Sequence, residues 1–186
     1  MPLTVLDPRP ALVVVDLQKG VFALLPSDKA GAVAKQAALL TKAFRKRGLP
    51  VVLVTVAGSA PGRTEQARRA LNLSEGWKDL IPELDQQPND HLVVKHTWGA
   101  FIGTDLYQYL KNLNVTQVVI IGVSTSIGVE STARQAYEHG FNVMLVTDAM
   151  TDPNADAHAN SVTRIFPRLG ETGTTQEVIQ LLEGMP

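Results

Sequence analysis

The chain has 186 residues, 45% of them apolar, and a formal net charge of −1. That is enough length for one α/β domain with a sizeable core and too little for two comfortable ones. The balanced charge leaves no basic surface for nucleic acid, the single basic run being Arg45-Lys46-Arg47, and the absence of any cysteine excludes disulfides, thiolate metal sites and a cysteine nucleophile.

A cysteine-free chain with no basic-then-apolar leader fits a cytoplasmic protein. No apolar run approaches the roughly 18 residues of a membrane span.

In chain order, Ala11–Val15 reads as a strand that ends at Asp16. A helix is expected over Gly31–Arg47, stopped by Gly48 as the residue past its end and by Pro50. Pro50–Val56 is the second strand. The least regular stretch follows, Ala57–Gln87, rich in Gly and Pro. It has room for a short helix over 64–71 and the length of a lid or a subunit contact, with Trp77 as a packing residue. His91–Val94 is the third strand and ends at Lys95. A helix is expected over Thr104–Asn112, then a strand over Gln117–Ile121, which breaks at Gly122 into a small polar turn before helical spacing over Ser126–His139. Asn142–Thr147 is the fifth strand, with helices over Asn154–Phe166 and Thr174–Leu182. Strands rich in Val, Ile and Leu, alternating with helices, imply right-handed crossovers. The fold class is therefore α/β: a doubly wound, mostly parallel sheet flanked by helices in a Rossmann-like three-layer arrangement, as one domain over 1–186.

Parallel sheets bind ligands beyond the carboxyl ends of their strands. Asp16, Lys95 and the Gly122–Gly128 turn all fall at such ends, so this topology gathers them at one edge. The turn also aims several backbone N–H groups at one spot beside a helix N-terminus, a place suited to an oxyanion or carboxylate. Phe22, Trp98 and Phe101 are near enough in sequence to line an apolar pocket there. For Asp16, a nearby Lys95 lowers the pKa while burial raises it. A strand-end Asp and Lys equally suit a scaffold ion pair. Arg134 is expected to pair with Glu138 four residues on, and Asp148 to cap the turn after its strand. Ser124, Ser126 and Ser131 have no triad spacing to His96 or His158.

The turn reads Gly122-Val-Ser-Thr-Ser-Ile-Gly-Val-Glu-Ser-Thr-Ala-Arg134. It resembles the elbow of the isochorismatase-like hydrolase superfamily, Gly-Val-x-Thr-x-x-Cys-Val-x-x-Thr-Ala-Arg, with Gly128 in the place of the cysteine. Val14-Val-Asp-Leu-Gln18 is similar to the superfamily's strand ending in Asp-x-Gln, and Val94-Lys-His-Thr-Trp-Gly-Ala-Phe101 to its lysine segment. Within the superfamily the chain most resembles the YecD-type subgroup, which also reads Ile-Gly-Val-Glu-Ser-Thr-Ala-Arg at the elbow.

The resemblance implies a catalytic set of Asp16, Lys95 and Gly128, with Gly128 contributing bare main chain. Val123, Ser124 and Thr125 would orient substrate or water, across a strained or cis Val123–Ser124 peptide. It implies a hydrolase that acts on a small carboxylated substrate by Asp acid–base chemistry without an enzyme-bound intermediate, as isochorismatases with glycine at this place cleave a vinyl ether. Lys95 would then bind the substrate carboxylate. Two departures stand out. Ser124-Thr125-Ser126 replaces the Tyr-Ala-His of isochorismatases, and Val56-Ala57-Gly58-Ser59 replaces the Asp-x-His metal motif of nicotinamidases. The expectation is accordingly no metal and no cofactor, a small-molecule partner, no nucleic acid, no membrane, and a homo-oligomer. The alternative is a non-catalytic small-molecule binding protein that has lost the nucleophile.

Overall fold

The computed structural model describes residues 3–65 and 75–185. Its strands are β1 (Pro10–Val15), β2 (Val51–Val56), β3 (His91–Lys95), β4 (Gln117–Val123), β5 (Asn142–Thr151) and β6 (Glu171–Gly173). They form one sheet of order β3-β2-β1-β4-β5-β6, parallel at every pairing. Order reverses at β1, the switch point where such sheets open a crevice at their carboxyl ends.

The helices are α1 (Lys19–Phe22), α2 (Ser27–Lys46), α3 (Leu106–Asn112), α4 (Glu130–Glu138), α5 (Ala155–Asn160), α6 (Phe166–Leu169) and α7 (Thr175–Gly184). Every position of β1 and β4 is buried, because helices cover both faces and each strand can be apolar throughout. On one face α2 lays down Val33, Ala37, Leu40 and Phe44 at three- and four-residue spacing, packed with Leu182 of α7 on Leu12, Val14 and Leu53. On the other, Leu106 and Leu110 of α3, Ala133 and Ala136 of α4 and Phe166 of α6 pack on Val13, Val54 and Ile120. Among the described residues, no helix is long and apolar enough to cross a membrane.

Several boundaries differ from the sequence reading. Helix α2 begins at Ser27, a turn before Gly31, since Pro26 caps it without a donor to satisfy and Asp28 lies in its first turn. Strand β5 runs on to Thr151, four residues past the expected Thr147. The segment expected as one helix over 154–166 is split by a π-helical turn, Ser161–Ile165, between α5 and α6. Strand β6, only three residues, and the single-turn α1 were not anticipated. Of the short helix expected over 64–71, residues 66–71 lie outside the described residues.

Asp148 reaches further than its own turn. Its Oδ1 accepts from the backbone N–H and hydroxyl of Thr175 at 2.8 and 2.9 Å and so docks the start of α7. Thr174 and Glu177 close a reciprocal capping box at the same helix start.

Candidate active site

Asp16 follows the last residue of β1 in a left-handed conformation, φ 55°, which Asp tolerates better than most residues. Its N–H still donates to Val54 O at 2.9 Å, so the turn is anchored while the side chain leaves the sheet. Two residues on, buried Gln18 acts as an extra rung on β2. Its Oε1 accepts from Val56 N–H at 2.7 Å and its Nε2 donates to Val56 O at 3.1 Å. The Asp-x-Gln pattern thus ties the ends of β1 and β2 together. Trp77 closes over α1, where a Cβ on Gly20 would lie 2.1 Å from its indole.

Lys95 is the last residue of β3 and is 1% exposed. Its ammonium meets Asp16 Oδ2 at 2.8 Å and donates to Thr97 O at 3.1 Å. The following segment is pinned to α4. Thr132 Oγ1 donates to Gly128 O at 2.7 Å and accepts from Ala100 N–H at 3.2 Å, and Gln135 Oε1 accepts from Phe101 N–H at 3.0 Å. One threonine therefore bridges the lysine segment and the elbow.

At the elbow, the Val123–Ser124 peptide is cis, and Thr125–Val129 forms a π-helical turn leading into α4. A Cβ on Gly128 would lie 3.1 Å from Asp16 Oδ2, Val123 O and Val15 Cγ1 alike. The glycine lets the carboxylate press directly against main chain. Fewer N–H groups are open here than the turn suggested. Ile127 and Val129 N–H both donate to Ser124 O at 3.1 Å, and Ser126 N–H donates to Asp152 Oδ2 at 2.9 Å.

The structure brings Asp16, Lys95 and Gly128 together on the wall of an open cavity of about 280 Å³. Trp98, Val123 and Ser124 also line it. Trp98 stands 62% exposed at the rim. Phe22, Phe101 and Thr125, expected at the pocket, do not line the cavity. Phe22 packs on the α2 face of the core and Phe101 on the α4 face, each drawn off by apolar neighbours. Thr125 turns behind the elbow, where its Oγ1 pairs with His158 Nδ1 at 2.8 Å. Val21, Val56, Gly58, Ser59, Thr97 and Ile127 complete the wall and were not foreseen. The Asp-x-Gln lock, which fixes where β2 ends, was the available signal for Val56 and the two residues near it.

Two polar residues brace the elbow from the far side. His158 holds Thr125, and Asp152, just past the end of β5, accepts from both the N–H and the hydroxyl of Ser126 and from Asn154 N–H. Asp152 is buried, so Asp152→Ala leaves the Ser126 N–H without its partner. The expected cost is about 1–3 kcal/mol, read as a lower denaturation midpoint. Arg134 pairs with Glu130, at 2.9 Å, rather than with Glu138. Glu130 also accepts from Ser161 Oγ at 2.6 Å, which fixes it on the side of the helix that Arg134 reaches.

Burial and Lys95 oppose each other at Asp16, and burial prevails. The carboxyl is pushed up from 3.8 to about 6, desolvation outweighing the charge and hydrogen bond of Lys95. Its Oδ1 is buried without a hydrogen-bond partner, which adds to the cost of the ionised form. Among the described residues, no cluster of three or more His, Cys, Asp or Glu side chains has the arrangement to hold a metal ion.

Comparison with known proteins gives the same picture from another side. Residues 10–177 match the isochorismatase domain. The chain is 38% identical over 181 residues to the uncharacterised isochorismatase family protein YecD of Escherichia coli O157:H7, covering 92% of this chain and 95% of that one. It is 36% identical over 179 residues to the uncharacterised isochorismatase family protein YwoC of Bacillus subtilis, covering 92% and 93%. A solved isochorismatase family protein from Burkholderia thailandensis superposes with a TM-score of 0.91 at 41% identity, covering 96% of this chain and 98% of that one. With the domain matched across nearly its whole length, the chain belongs to the isochorismatase family and has that family's hydrolase fold, with Gly128 where its cysteine-bearing members carry the thiol.

Proposed function

We propose that this protein hydrolyses an acid-labile bond, of the vinyl-ether type, in a small carboxylated molecule, with Asp16 as the general acid and no enzyme-bound intermediate. The observation that carries this reading is a buried carboxyl raised to about 6 on the wall of a cavity, against a residue with no side chain. A thiol-free site cannot form a thioester, whereas a carboxyl raised to about 6 stays protonated to a higher pH than an ordinary one and can deliver that proton. Asp16 donates to the terminal carbon of the enol ether, and the adjacent carbon becomes an oxocarbenium ion. Water adds to that carbon and loses a proton, which returns to the Asp16 carboxylate. The resulting hemiketal collapses to a ketone and an alcohol, so atoms and charge balance over the cycle. The main chain from Val123 to Gly128 lies beside the acid and orients substrate or water. Lys95 holds Asp16 in place and offers the cavity its positive charge.

The test is turnover of isochorismate and a panel of simpler carboxylated enol ethers, with amides as controls. An acid that must be protonated gives kcat/KM that is level below about pH 6 and falls tenfold per pH unit above it. Steady binding of such molecules without turnover at any pH is the behaviour of a binding protein instead. Amide hydrolysis outrunning enol-ether hydrolysis would exclude the proposed chemistry.

A further inference from the structure

The acid–amine pair holds an imbalance that hydrolysis alone does not explain. An ammonium has three N–H donors. Among the described residues, Lys95 spends one on Asp16 Oδ2 and one on Thr97 O, and its third N–H meets none of them. Asp16, for its part, keeps Oδ1 buried with no partner. Among the described residues, the cavity wall holds no other charged side chain. α1 contributes Val21, the end of β2 contributes Val56 with Gly58 and Ser59, β4 and the cis peptide contribute Val123 and Ser124, and the elbow contributes Ile127 and Gly128. His96 packs against Gly58 and does not line the cavity. With Asp16 ionised, the charges of the described wall residues cancel, and the one cation among them is already paired.

A carboxylate that enters such a site sets two anions around one ammonium, in a cleft where charges are poorly screened. The buried, unpartnered Oδ1 leaves Asp16 nothing else to lean on. Moving a proton onto Asp16 removes the conflict at once and frees the Lys95 charge for the ligand. Resting on the reading of Asp16 as the acid for a carboxylated substrate, we infer that the ligand's carboxylate and one proton enter this site together, the carboxylate on the remaining N–H of Lys95 and the proton on Asp16. The substrate thereby arms the acid that acts on it. Left to itself, Asp16 would be protonated in only roughly a tenth of molecules at pH 7, given a value about one unit lower. Reciprocity requires that an anion preferring the protonated form raise that share as it binds.

Benzoate is a suitable probe, a single carboxylate on an apolar ring. Calorimetric titration of the intact wild-type protein, in buffers of differing ionisation heat between pH 5 and 8.5, reads the protons taken up per benzoate bound. Uptake is expected to climb from near zero at pH 5 towards one at pH 8, and the Kd to rise about tenfold per pH unit above the Asp16 titration. The uncharged isostere benzamide is expected to bind without uptake. Asp16→Asn removes the uptake and makes the benzoate Kd independent of pH. Benzoate binding without uptake at pH 8, equal uptake with benzamide, or no benzoate binding at pH 5.5 would each overturn the inference. All of these except the variant use the wild type, so a poorly folding Asp16→Asn does not rescue it. No turnover is required, so proton-coupled binding in a protein that hydrolyses nothing would refute the hydrolase reading and leave this one standing.

Discussion

Asp16→Asn should lower kcat by about 10²–10⁴-fold, the range that a positioned general acid supplies. The amide is nearly isosteric and can still accept from Lys95, but it has no proton to give at any accessible pH. The loss should therefore fall on kcat, with binding of benzoate retained and its pH dependence gone. The raised Asp16 pKa means that the fold already favours a neutral side chain here over a carboxylate, so the amide should cost little stability near neutrality. Lys95, 1% exposed and 2.8 Å from Asp16 Oδ2, keeps an acceptor in the amide oxygen. Turnover is expressed per folded molecule, with the thermal midpoint measured alongside. A variant that unfolds early but hydrolyses at the wild-type rate when folded would show that Asp16 only supports the fold. A folded variant that binds benzoate and turns nothing over is the expected result.

The candidate site was legible to the extent that topology makes it so. Asp16, Lys95 and Gly128 are 33 to 112 residues apart, yet β1, β3 and β4, parallel within the order β3-β2-β1-β4, carry all three to one edge. That follows from strand direction alone and needs no knowledge of side chains. Phe22 and Phe101 fail for the opposite reason. Nearness along the chain says nothing about which way a ring turns once apolar surface is available on either face of the sheet, and both rings join the core. Apart from Val56 at the end of β2, the unforeseen wall residues come from α1, the loops after β2 and β3, and the π-helical turn. These are short, irregular pieces without the periodicity that reveals helices and strands. Asp152 was hidden by the length of β5, which continues well past its last strongly apolar run and carries the brace for Ser126 beyond the expected strand end. The outcome of the contest at Asp16 also needed coordinates, since burial and a neighbouring cation act in opposite directions and only the packing around Oδ1 and Oδ2 decides between them.

Gly122→Ala should abolish the folded state or bring it close to that, a loss on the order of 4 kcal/mol or more out of the 5–15 kcal/mol that usually stabilises a domain. Gly122 pairs with Val15 across the central β1–β4 contact. Its φ is 126°, which a residue with a Cβ adopts only under strain. A methyl there would also lie 2.0 Å from Val15 O and 2.8 Å from Val15 C and N. Those atoms belong to a buried strand with neighbours on both sides, so no flexible side chain can move away and the sheet itself would have to part. Gly48 separates the two effects. It has φ 65° and nothing within 4 Å of an added Cβ, so Gly48→Ala should cost only the backbone penalty, about 1–2 kcal/mol. The difference between the two variants measures the clash. The close approach at Gly122 matters for the chemistry as well as for the fold, because Asp16 directly follows Val15 and Gly122 leads through Val123 into the elbow that ends at Gly128. An added methyl that pushed these strands apart would draw Asp16 away from Gly128, against which a Cβ would already be 3.1 Å from Oδ2. Soluble yield and circular-dichroism melting of Gly122→Ala beside Gly48→Ala decide the matter. If Gly122→Ala melts within a few degrees of Gly48→Ala, the tight β1–β4 contact is not what holds the acid against the elbow.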